Sequence, residues 1–195
     1  MKKLLLYFYI ITITILTTSI CKAQDCPVGG NPVSHDDSLK NRSIIGETYT
    51  TITFPQLMEF GKDDALPDGF YQITGYCILV KPGGAETCNC KTSDKTKWDT
   101  HIEITMDKVH TKPTDAIIVE INYRMRDLMK AQRVDWSTAT LKKGMVGHMV
   151  TIGGQLFHDD HHWQNSEIDN PDGTDIWRAT DVEIHPVTFI KVEDY

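Results

Sequence analysis

Three segments of the chain alternate apolar residues with side chains that can carry charge or bind a metal. In WDTHIEITM (98–106), Thr100, Ile102 and Ile104 fall on one face of an extended strand, and Asp99, His101, Glu103 and Thr105 fall on the other. In AIIVEINY (116–123), Ile117, Val119 and Ile121 turn one way, and Glu120 and Asn122 the other. In TDVEIHPVTFIKV (180–192), Val182 and Ile184 leave Asp181, Glu183 and His185 on the opposite face. With the apolar faces turned to a core, neighbouring strands would put Asp99, His101, Glu103, Glu120, Glu183 and His185 on one outer wall, open to solvent. Two like charges 4 Å apart repel by about 1 kcal/mol in water and about 4 kcal/mol at an effective dielectric of 20, so such a wall calls for a cation. Arg178, a protonated imidazole or a bound divalent metal would each serve. Imidazole mixed with carboxylate suits zinc or another transition metal, whereas an all-oxygen set would suit magnesium or calcium. The competing expectation is an ordinary solvated face with His–carboxylate and Arg–carboxylate pairs.

A second unusual feature is the stretch His158–Ile176, which carries His158, His161 and His162 beside Asp159 and Asp160, followed by Trp163. A connection of that length is usually functional or disordered. It is not an EF-hand, since placing Gly173 at the invariant glycine puts Ile168 at the first ligand position. Trp98, Trp163 and Trp177 are candidate ligand-stacking residues, and each is equally read as a packing residue on a rim. Arg178 could hold an anion through a bidentate pair or fix Glu183. Gly-x-Ser-x-Gly, the phosphate-binding loop Gly-x-x-x-x-Gly-Lys-Ser/Thr and His-Glu-x-x-His do not occur.

The elements that must position these residues come from a chain of 195 residues, 40% apolar and 24% charged, the composition of one globular domain. Residues 1–23 combine Met1-Lys2-Lys3, an apolar run from Leu4 to Ile20 and a small residue at Ala23, as in a cleaved secretory signal. The expected location is therefore exported, periplasmic or secreted, with no membrane span after cleavage. Without Lys2, Lys3 and Lys22, 17 basic groups face 27 acidic ones, a balance that argues against general nucleic-acid coating. Export also favours disulfides. Of the four cysteines that remain, Cys77 is expected to pair with Cys88 or Cys90, and Cys26 with the other. A zinc site at Cys88 and Cys90 is the alternative.

Residues 24–68 read as a polar N-terminal arm with a short helix near 53–60, where Pro55 follows a Thr53 cap and Gly61 follows as a stop. From residue 69 the pattern is that of strands at 69–80, 98–106, 116–123, 145–157 and 180–192, with a helix at 124–134 between the third and fourth. Gly153-Gly154 and Pro186 mark bends or bulges. This order over residues 69–195 resembles the OB-fold, and the expected class is all-β: a five-stranded OB-like Greek-key barrel with one short helix between strands three and four. WDTHIEI and WRATDVEIHPV also resemble segments of small exported bacterial proteins, which implies fold and export and no chemistry.

In the OB-fold, ligands usually meet the outer face of strands two and three and the adjoining loops. The expected function is therefore a secreted binding module for a sugar, a peptide or a protein partner outside the cytoplasm, with a divalent metal such as zinc as its candidate cofactor. The alternative is a metal-dependent hydrolase of phosphodiesters, since staphylococcal-nuclease-like enzymes also build on an OB barrel. Asp99, His101, Glu103 and Glu120 would then bind the metal, His185 or Glu183 would activate water, and Arg178 would stabilise developing charge. Asp99-Thr100 and Glu103 are only loosely similar to an Asp-Thr-x-Glu arrangement, and the spacing is one residue too long.

Overall fold

The computed structural model describes residues 25–193, and the signal-like segment lies outside them. Six strands are present among the described residues: β1 (Thr50–Thr51), β2 (Tyr71–Pro82), β3 (Thr100–Thr105), β4 (Ile117–Ile121), β5 (Met149–His158) and β6 (Val182–Val192). Their order is β1-β2-β3-β4-β6-β5, and β2 also pairs with β5, so strands β2 to β6 close into a barrel. All contacts within the barrel are antiparallel except β4 with β6. This is the five-stranded OB-like barrel expected from the sequence. The two-residue β1 pairs in parallel with the start of β2.

The apolar alternation fills the barrel as predicted. Ile102, Ile104, Ile117, Val119, Ile121, Val182 and Ile184 are all core residues with essentially no exposure. After Ile184 the inward phase shifts by one residue, so that Val187 points into the core. The cause is a bulge opposite Pro186, where the β5–β6 register slips between Gly154 and Leu156. Gly154 permits it, because a side-chain carbon there would run into the Pro186 carbonyl.

Four α-helices accompany the barrel: α1 (His35–Lys40), α2 (Phe54–Leu57), α3 (Tyr123–Ala131) and α4 (Thr138–Met145). The short helix expected at 53–60 is α2, closed by a capping box between Thr53 and Gln56. The connection from β4 to β5 holds two helices rather than the one expected. Asn122 caps α3 by accepting from the Met125 amide, and Ser137 caps α4 by accepting from the Thr140 amide. Only Leu141 and Met145 of α4 are buried, too sparse a stripe to stand out as a helical period. Among the described residues no helix is long and apolar enough to cross a membrane.

The disulfide pairing differs from expectation. Cys26 bonds Cys90, while Cys77 and Cys88 remain buried thiols. Cys77 lies on the inward face of β2, within the hydrophobic core, and does not meet Cys88 or Cys90 in the connection between β2 and β3. Burial pushes its thiol up to about 12. Cys88 points its sulfur toward Glu86, 3.7 Å away, and with Cys90 oxidised the alternative zinc pair is gone.

Candidate metal centre

The strand register brings the predicted wall together. His101 stands directly opposite Glu120 across β3 and β4, and Val119 is paired with Ile184 across β4 and β6, which sets Glu120 beside Glu183 and His185. The parity read from the sequence is correct, but its consequence is not. The wall does not face solvent: every residue of β3 and β4 is buried, and His185 has no exposed surface.

Two segments cover it. The N-terminal arm crosses one side, where the Asn122 amide donates to the carbonyls of Lys40 and Arg42 at 2.6 and 2.7 Å. Arg42 in turn donates to the His185 carbonyl at 3.0 Å. The connection from β5 to β6 covers the other side, with Trp177 lying 6.2 Å from the His101 ring and 5.5 Å from that of His162. Beneath these covers, Lys40 reaches Glu86 at 3.2 Å and Asp159 at 3.9 Å. The guanidinium of Arg178, fully buried, bridges Asp159 at 3.0 Å and Glu183 at 2.7 Å. Of the two roles expected for Arg178, the structure shows the pairing with Glu183.

Buried charge on this scale requires compensation in place. Burial disfavours the ionised form of Asp159, yet His162, Lys40 and Arg178 hold its carboxyl well below the usual range. Burial also works against a protonated His101, but Glu103 at 3.2 Å and Glu120 at 2.8 Å push its pKa up to about 9. For His185, burial is again outweighed, here by Asp99, Glu183 and Glu120, and the ring is pushed up to about 10. Burial raises Glu120, with the Glu183 charge adding to it.

The innermost groups are Asp99, Glu120 and His185. One ligand atom from each lies within 4.8 Å of the other two. The His185 Nε2 and Asp99 Oδ2 atoms are 3.3 Å apart and buried, and neither makes a hydrogen bond. They form an ion pair without a hydrogen bond, which leaves part of the desolvation cost of both groups unoffset. An imidazole and two carboxylates converging this closely form a donor set for a transition metal ion of the zinc class.

Not every candidate joins this centre. Glu103 pairs with His101 and, at 3.6 Å, with Lys81 on the solvent side. Trp98 is held by its own loop, its indole N–H donating to the Thr92 carbonyl at 2.8 Å. Trp163 packs beneath Lys62, 4.5 Å from the ring centre. Of the three tryptophans only Trp177 adjoins the wall. Sequence reasoning missed Lys40, because a single lysine in a polar arm with no periodic pattern carries no signal of burial.

No family model and no curated protein matches the chain. Among solved structures, the crystal structure of yeast Stn1 and Ten1 matches 81% of this chain and 70% of that one, at 13% identity and a TM-score of 0.41. Two expectations are corrected at this point. The open wall on which the reading of a secreted binder of a sugar, peptide or protein rested is buried, so that reading is withdrawn. The exclusion of nucleic-acid coating rested on net charge alone and is withdrawn as well.

Proposed function

We propose that this chain is a divalent-metal-binding protein, its ion held by Asp99, Glu120 and His185 at the covered wall of the barrel. The observation that carries this reading is the buried ion pair His185 Nε2 and Asp99 Oδ2, 3.3 Å apart with no hydrogen bond made by either atom, in a group with Glu120 whose ligand atoms lie within 4.8 Å of one another. An ion of the zinc class would neutralise the two carboxylates and take the imidazole lone pair, releasing the proton that His185 otherwise holds. The proposed location is outside the cytoplasm, supported by the signal-like N-terminus and by a disulfide that ties the covering arm to the barrel.

The test is metal content of the purified mature protein by mass spectrometry, with melting temperature measured with and without a chelator. A ligand at 100 times its Kd stabilises the native state by about 2.7 kcal/mol, or about 5–11 °C for a chain of this size. One equivalent of metal, with a chelator-sensitive melting temperature that becomes insensitive in Asp99→Asn, is the expected result. Wild-type protein that binds no zinc and melts identically in chelator would overturn the proposal.

A further inference from the structure

We infer that Glu183 is the outer carboxylate of a carboxylate–histidine–metal arrangement, and that Arg178 fixes it there so that His185 presents Nε2 to the ion. The inference rests on the metal-binding reading above and assigns Glu183 as a positioning residue rather than a ligand. A neutral imidazole carries one N–H, and its neighbours decide which nitrogen bears it. Here Nδ1 is hydrogen-bonded to Glu183 Oε2 at 3.4 Å and lies 3.5 Å from Glu120 Oε2, while Nε2 lies 3.3 Å from Asp99 Oδ2 without making a hydrogen bond. With Asp99 Oδ2 engaged by the ion, the one proton of the neutral ring belongs on Nδ1 and the lone pair on Nε2.

Glu183 has no freedom to abandon this role. Its other oxygen, Oε1, accepts from Arg178 Nη2 at 2.7 Å. The guanidinium is itself fixed by donating to the Thr180 carbonyl at 2.8 Å, to Asp159 Oδ2 at 3.0 Å and to the Asp181 carbonyl at 3.4 Å. Phe157 packs edge-on against the His185 ring at 5.8 Å and limits its rotation. An anionic acceptor on the far nitrogen makes the ligating nitrogen more basic, and loss of such a partner typically costs 10–100-fold in metal affinity.

Zinc affinity of the full mature chain, measured by competition with a chromophoric chelator, tests this in wild type, Glu183→Gln and Asp99→Asn. A wild type that takes up no zinc removes the metal reading itself. With wild type binding, Glu183→Gln is expected to keep one site and bind about 10–100-fold more weakly. Affinity within twofold of wild type would overturn the role of Glu183 and leave the metal centre standing. A second measurement does not depend on any variant folding: long-range proton–nitrogen correlation in the zinc-loaded wild type should show His185 protonated at Nδ1 and metal-bound at Nε2. The opposite assignment would refute the inference, whereas a merely structural Glu183 would not dictate the tautomer.

Discussion

Replacing Arg178 with Met should be among the most destabilising single changes in this protein. The side chain has no exposed surface and donates to two carboxylates and two carbonyls. Methionine fills a similar volume, so the loss is electrostatic rather than a cavity. What remains is Asp159 and Glu183, 4% and 2% exposed, with His162 at 2.7 Å and Lys40 at 3.9 Å from Asp159 and His185 at 3.4 Å from Glu183 as their remaining cationic neighbours. Removing one partner of a buried charge network costs about 3–5 kcal/mol. For a chain of this length that is a fall in melting temperature of about 6–20 °C. Urea titration of wild type, Arg178→Met, and the triple variant Arg178→Met, Asp159→Asn, Glu183→Gln would measure it. Neutralising the stranded carboxylates should recover part of the loss, since a whole buried ionic group is far less costly to replace than to break. A loss below about 1 kcal/mol for Arg178→Met, the size of an exposed pair, would refute the account of a buried network.

The acid limb of stability should depend on Asp159. Its folded pKa lies below its unfolded value near 4, so its contribution is fully present above that value and is lost as pH falls toward the folded one. The urea midpoint of wild type should drop more steeply below about pH 4 than that of Asp159→Asn, and parallel profiles would count against it. Reduction of Cys26–Cys90, or Cys26→Ser, releases a closure spanning 64 residues. The chain-entropy relation gives an upper figure of about 4 kcal/mol, and amide exchange at Asn41 and Asn122 should quicken if the arm loosens with it. Iodoacetamide should leave the native Cys77 and Cys88 unmodified and label both in denaturant, as read by mass.

The barrel was legible in the sequence because its strands alternate with period two, and that period reports which residues share a face. Ile102, Val119 and Ile184 went inward as read, and the bulge at Gly154 and Pro186 was visible in the residue types. Helix α4 escaped because its buried face is two residues wide. The cysteine pairing escaped for a related reason. Leaving Cys77 out of the pairing required knowing that position 77 points into the barrel, and GFYQITGYCILV is apolar on both faces at that point.

The harder lesson concerns what covers a face. Periodicity assigned Asp99, His101, Glu120, Glu183 and His185 to the side away from the core, and there it stops, since nothing local tells a strand whether that side meets water. The answer lies in residues distant in sequence: Lys40 and Asn41 from the arm, and Asp159, Trp177 and Arg178 from the connection before β6. Their arrival changes the chemistry expected of the wall. On a solvated face, water would satisfy every carboxylate, and a histidine beside an aspartate would be unremarkable. Under cover, each polar atom must find a partner within the protein, and most do so through Lys40, Arg178 and His101. Asp159 Oδ1, Asp181 Oδ1, Asp99 Oδ2 and His185 Nε2 make no hydrogen bond, and of these the last two are an imidazole and a carboxylate facing each other at 3.3 Å. The same covering that rules out an open binding surface makes this pair, rather than the carboxylate cluster as a whole, the specific mark of a metal centre.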